Sequence, residues 1–179
     1  METKMRDMAT SLEDYDFATM MVENKKLGKN LLVAMKKQPK GKIMLFDATR
    51  GFDEVATILY NINAKGVYVS EFMVNVEYQQ CGLGKYIFGL AMAHGDARGK
   101  TQVYGEANPT DPIKGVSENG NYETEARTIC EIYKKLGCII EDGDKFKQEW
   151  KQGEILNMLG EEERKLIDMV NEDQSSLWE

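Results

Sequence analysis

The segment Gln79-Gln80-Cys81-Gly82-Leu83-Gly84 places two glycines between an apolar run and a stretch of helical periodicity. Without a Cβ, glycine lets the backbone turn tightly and bring its N–H groups onto an anion, and the positive end of a following helix favours that anion further. The chemistry this suits is phosphate binding. A nucleotide P-loop is excluded, because Gly84-Lys85 is followed by Tyr86 in place of Ser or Thr, and Gln79 stands where the first glycine belongs. A dinucleotide fingerprint fails too: Ile87 occupies the position of its third glycine, and the strands ahead read as a meander and not as a βαβ unit. Read by itself, the segment is also what a plain two-glycine turn would show.

Other side chains offer less. Cys81, Cys130 and Cys138 are odd in number and show no CxxC spacing, so neither a disulfide framework nor a metal site is expected, and a reducing cytoplasm fits best. His94, the lone histidine, falls near the end of the helix after the loop, where the helix C-terminus accounts for it. The net charge of −7 argues against a nucleic-acid partner, since phosphates need a clustered basic surface. The opening METKMRDMATSLEDYDF lacks an apolar core of signal-peptide length, and no run approaches the roughly 18 apolar residues that span a bilayer. With 179 residues, 42% of them hydrophobic, one compact domain is expected, with no membrane partner.

The elements that must hold the loop follow from periodicity. Leu12, Tyr15, Thr19, Val22, Leu27, Leu31, Val33 and Met35 predict one broken or two short helices over 11–37, interrupted at Gly28 and closed before Pro39. From Lys42, KIMLFDAT, VATILYNI and GVYVSEFMVNV are β-branched and aromatic runs separated by turn chemistry, which predicts an antiparallel meander. The glycine loop and a helix ending near Gly95 and Gly99 come next, then a strand, TQVYGEA, stopped by Asn108-Pro109. A polar stretch to residue 124 reads as an exposed loop before a helix at about 125–136 that stops at Gly137. CIIEDGDKF and FKQEW suggest short strands, and EILNMLGEEERKLIDMVNE a helix broken at Gly160.

The run from Val74 to Lys85 resembles the central motif of the GNAT family of acyl-CoA N-acyltransferases, whose pyrophosphate loop reads Q/R-x-x-G-x-G/A after a strand. Gln79, Gly82 and Gly84 match it, and Lys85 adds attraction where Gln79 replaces the commoner arginine. Asn108, closing the next strand, and Ile132-Tyr133-Lys134-Lys135-Leu136-Gly137-Cys138, similar to the family's YeklGF signature, follow in the family's order. The resemblance covers roughly 41–142. The chain departs from the pattern in Cys138 for phenylalanine, in a long 109–124 connection and in lacking a recognisable first strand.

The resemblance implies an α/β fold with a GNAT-like mixed, largely antiparallel central sheet and helices on both faces. It implies a single acyltransferase domain over 1–179: an N-terminal helical part (1–40), a cofactor-binding core (41–142) and a C-terminal extension (143–179). Acetyl-CoA would be the cosubstrate, without a metal, and the acceptor a primary amine on a small molecule or a protein. Its pantetheine would lie along Phe72, Met73, Val74 and Val76, and its pyrophosphate against Gln79, Gln80, Cys81, Gly82, Leu83, Gly84 and Lys85. Asn108 would bond the cofactor, although asparagine before proline is also an ordinary strand terminator. Tyr133 matches the thiolate-protonating tyrosine; by its spacing alone it is equally a core aromatic with Ile129, Ile132 and Leu136. Glu71 and Glu106 are the candidate bases, acting through water. A non-catalytic acyl-CoA-binding or interaction module is the competing function, and the C-terminal ERKLIDMV segment leaves a homodimer open.

Overall fold

A computed structural model describes residues 6–9, 11–12, 17–25, 28–37, 40–49, 53–75, 78, 82–107 and 130–175. Its strands are β1 (Phe17–Asn24), β2 (Lys29–Lys36), β3 (Lys40–Asp47), β4 (Asp53–Ile62), β5 (Val67–Val74), β6 (Gln102–Glu106), β7 (Ile139–Glu141) and β8 (Lys145–Glu149). The helices are α1 (Leu83–Ala97), α2 (130–135), α3 (Glu154–Met158) and α4 (Glu161–Ser175). The strands form one sheet in the order β1-β2-β3-β4-β5-β6-β8-β7. All neighbours pair antiparallel except β5 and β6, which run parallel because α1 carries the chain back between them.

The helical reading of 11–37 is wrong beyond Leu12. Residues 17–36 are a β-hairpin that turns through Gly28, at a φ of 65° that glycine adopts without strain. The first strand that the sequence seemed to lack is therefore present. The reason for the misreading is burial on both faces. Leu31, Val33 and Met35 enter the main core, whereas Leu32 and Ala34 enter a second cluster, so β2 shows an unbroken apolar run instead of alternation.

The main core lies between the sheet and α1, with Leu166, Ile167 and Val170 of α4 in the same cluster. On the opposite face Phe17, Leu32, Ala34, Met44 and Phe46 are covered by Met8 and Leu12 from helical residues 6–9 and 11–12. The predicted meander is β3-β4-β5, and the break at Gly160 separates α3 from α4.

Two buried groups of α1 fix its far end. His94 and Tyr60 of β4 are both buried, with the tyrosine hydroxyl 2.7 Å from Nδ1 of the ring. His94 thus serves a side-chain bond across the core, beyond its position in the last turn. Asp96 accepts from the backbone N–H groups of Gly153, Ile155 and Leu156 at 2.7, 3.0 and 3.1 Å, which caps the N-terminus of α3. A carboxylate ill placed at the C-terminal end of its own helix is thereby used at the positive end of another.

Candidate functional site

The site is made by a break in sheet pairing. Along β4, Tyr60 pairs with Val69 but Leu59 pairs with Glu71, so Ser70 is an extra residue in β5, and its hydroxyl donates to the Leu59 carbonyl at 3.2 Å. Before this bulge the odd residues of β5 face α1: Val67 abuts Gly95 so closely that no Cβ would fit there. After it the even residues do. A Cβ on Gly84 would lie 3.4 Å from Phe72 and 3.5 Å from Val74. The parallel ladder with β6 ends at the same level, at Val69 and Gly105, while β5 runs on to Val74. β6 stays paired with β8 to its end, so from Glu71 onward β5 no longer follows it.

α1 begins beside this opening. Gly82 caps it with φ 81° and ψ 3°, a left-handed conformation that fits glycine. Gly82 has no side chain to cap this end and the first turn itself holds no carboxylate, so these residues leave the dipole at Leu83, Gly84 and Lys85 uncompensated. Lys85 is exposed. Val76, Gln79, Gln80, Cys81 and Asn108 lie outside the described residues, as does the 109–124 connection.

Tyr133 comes from α2, which ends as the sequence predicts at Gly137, φ 98°. Its ring stacks on Phe146 of β8, centroids 3.7 Å apart at 11°, and lies 6.1 Å from both Phe72 and Phe88. Tyr133 is therefore a buried core aromatic and also a neighbour of the opening. Gly105 permits this packing, since a Cβ there would meet Phe146 at 2.6 Å and the Val69 carbonyl at 2.9 Å. Glu71 and Glu106 are exposed and sit on the sheet face turned away from α1 and Tyr133, by the alternation that puts Phe72 and Gly105 on the near face. Tyr133 and Phe72 are brought together; the two carboxylates are on the other side of the opening.

Asp47 and Tyr78 carry no short-range signal and went unnoticed in the sequence, being 31 residues apart. The fully buried Asp47 carboxylate accepts from Tyr78 at 2.6 Å, from the Thr49 hydroxyl and N–H at 2.6 and 2.9 Å, and from Lys29 at 3.1 Å. Burial alone pushes its pKa up. The hydrogen bonds from Thr49, Tyr78 and Lys29 outweigh that and hold the carboxyl well below the ordinary range. Burial lifts the Cys138 thiol to about 12, and burial together with the nearby Asp144 also raises Cys130. Neither buried cysteine is a thiolate at neutral pH. No group of three or more metal-ligating side chains occurs among the described residues, and none of their helices is long and apolar enough to cross a membrane.

No protein-family model and no curated protein matches the chain. Solved structures do. Two structures of a cAMP-binding acyltransferase from Mycobacterium smegmatis superpose with TM-scores of 0.64 and 0.56 at 10% and 12% identity, covering 97% and 98% of this chain. The chain spans only 60% and 61% of the length of those two proteins. A weaker match, TM-score 0.45 at 15% identity, is the PaiA N-acetyltransferase from Thermoplasma acidophilum in complex with coenzyme A, with 61% of this chain and 60% of that one covered. In its mixed, mostly antiparallel sheet flanked by helices, the chain has the GNAT-like acyltransferase fold.

Proposed function

We propose that the chain is an acetyl-CoA-dependent N-acetyltransferase acting on a primary amine of a small molecule or a protein. The observation that carries this reading is the coincidence of three features at one place: the end of the β5–β6 ladder at Val69 and Gly105, the Ser70 bulge, and the uncapped start of α1 at Gly82. Pyrophosphate bound at Gly82–Lys85 would meet backbone N–H groups and a favourable dipole. The pantetheine arm would then run back along the edge of β5 past Val74 to Phe72, which brings the thioester toward the opening and Tyr133.

In the reaction, the neutral amine nitrogen attacks the thioester carbonyl carbon and the charge passes to its oxygen. Collapse forms the amide and expels the CoA thiolate, which takes the proton of the Tyr133 hydroxyl; the proton lost by the amine goes through water to Glu71 or Glu106. The location of both glutamates on the far face is compatible with an acceptor that approaches from that side. The net negative charge of the chain favours a cationic acceptor. Calorimetric titration with acetyl-CoA tests the reading, with Gly84→Asp as the control: a carboxylate in the first turn should repel pyrophosphate and lower affinity at least tenfold in a folded protein. Absence of binding by folded wild type would refute it.

A second reading is a non-catalytic acyl-CoA-binding module. The burial of Tyr133, 6% exposed and stacked on Phe146, favours it. Acetyl-CoA binding without turnover across a panel of polyamines, aminoglycosides and lysine peptides would select it, and a loss of turnover in Tyr133→Phe with binding retained would reject it.

A further inference from the structure

We propose that Phe72 sets the length of the acyl group that this site accepts, its ring closing one side of the opening so that a two-carbon acyl group fits and longer chains do not; the inference rests on the acyl-CoA reading above. Phe72, Phe88, Tyr133 and Phe146 lie together beside the opening. Phe88, Tyr133 and Phe146 are buried, whereas Phe72 is half-buried, so Phe72 is the ring of this group that fronts the opening. Its centroid lies 5.9 Å from Phe88, edge to face, and 6.1 Å from Tyr133, which stacks in turn on Phe146. The tip of the ring reaches α1, since a Cβ on Gly84 would stand 3.4 Å from Phe72 Cζ. The ring therefore spans the gap between β5 and the first turn of α1. Behind it Phe88 and Tyr133 hold each other at 6.1 Å, and packing of this density has no room for the ring to retreat.

An acyl group on a thioester beside Phe72 has three directions in which to lengthen. Toward α1 it meets the Phe72 ring. Toward the closed end of the opening it meets the rung of Val69 and Gly105, where the Phe146 ring already takes the place of a Cβ on Gly105, at 2.6 Å. Toward the far face, the side of Glu71 and Glu106, it would lie across the path by which the amine reaches the carbonyl carbon. An acetyl group ends before any of these limits matters, and a butyryl group does not. The limit is one of size. The rings carry no charge, and in an open site a longer apolar chain would gain affinity by burial against them. An open and a closed site thus differ in the sign of the effect of chain length.

That sign gives the test. Dissociation constants for acetyl-CoA, butyryl-CoA and hexanoyl-CoA are measured by calorimetry on wild type, Phe72→Ala and Phe72→Leu, with thermal unfolding followed in parallel. Wild type is expected to bind butyryl-CoA about tenfold or more weaker than acetyl-CoA, within the range that a surplus methylene costs in a fitted pocket, and hexanoyl-CoA no better than butyryl-CoA. Phe72→Ala is expected to reverse the order, because the space it vacates is lined by Phe88 and Tyr133. Phe72→Leu is expected to move the ratio in the same direction by less, and carries the test if Phe72→Ala does not fold. The quantity compared is the ratio of butyryl-CoA to acetyl-CoA constants within each variant, so a general weakening of the cosubstrate by the substitution cancels. Wild type that binds butyryl-CoA as tightly as acetyl-CoA, or a ratio that the folded variants leave unmoved, overturns the role of Phe72 and leaves the acyl-CoA reading standing. Failure of folded wild type to bind any of the three esters removes both.

Discussion

Gly105 is the position at which fold and candidate chemistry are most tightly joined, and Gly105→Ala tests that joint. It sits on the last rung of the parallel ladder, with the Val69 carbonyl on one side and the Phe146 ring on the other. A methyl group there would start 2.9 Å from a backbone oxygen that β5 holds in place and 2.6 Å from a ring already stacked on Tyr133. Neither neighbour yields cheaply: the ring can retreat only by pushing Tyr133, which Phe72 and Phe88 flank in turn. Overpacking of this kind costs about 1–3 kcal/mol. The alanine recovers about 0.4–1 kcal/mol by restricting the unfolded chain. The net expectation is a loss of about 1–2 kcal/mol, read as a lower urea midpoint at unchanged slope. Combining it with Phe146→Leu, which removes the Cζ and Cε1 atoms in the way, should recover part of that loss, so that the pair costs less than the sum of its members. An alanine variant within about 0.3 kcal/mol of wild type, or a strictly additive pair, would refute the close approach and with it the wedge that seats Tyr133.

Asp96→Ala strips three backbone N–H groups of their acceptor at the start of α3 and should cost about 3 kcal/mol in chemical denaturation, with Asp96→Asn losing less. Because the Asp47 pKa is lower folded than unfolded, its stabilisation is complete above the ordinary carboxylate pKa of about 4 and fades as pH falls below it. From pH 7 to pH 3 the wild type should therefore lose about 1 kcal/mol more than Asp47→Asn in parallel urea titrations. Cys130 and Cys138, both buried with raised pKa values, should resist a thiol reagent at pH 8 in the native protein and react at once in denaturant.

The parts of the fold that could be read in the sequence are those where local pattern and final environment agree. β3, β4 and β5 carry β-branched and aromatic residues between glycine-bearing turns, and α1 follows the cap at Gly82, so their types and order were legible. The β1–β2 hairpin was not. Its second strand, β2, is buried on both faces, and the hairpin is rich in methionine, leucine and alanine and mimics a helix at the spacing Leu27, Leu31, Met35. In the site, Gly82 announced itself because a left-handed turn demands glycine, whereas Gly84 lies inside α1. The facing of Glu71 could not be read, since it depends on a bulge that leaves no mark on composition. Asp47 with Tyr78, and His94 with Tyr60, are pairs made by topology between residues more than thirty positions apart.

The extra residue at Ser70 works as a phase switch in β5. Upstream of it the strand presents Val67 and Val69 to α1; downstream it presents Phe72 and Val74, one step out of phase. Removing Ser70 would leave Tyr60 opposite Val69 and Leu59 opposite Glu71 in an unbroken ladder, so the bulge would go while Phe72 and Val74 kept facing the Phe88 and Tyr133 rings. Loss of Ser70 alone flattens the bulge and keeps the wall of the opening, whereas loss of Glu71 with it would turn Phe72 and Val74 to the other face. β5 therefore tolerates the loss of its one bulge residue but not of a second, a rule that strand β2, apolar on both sides, does not share.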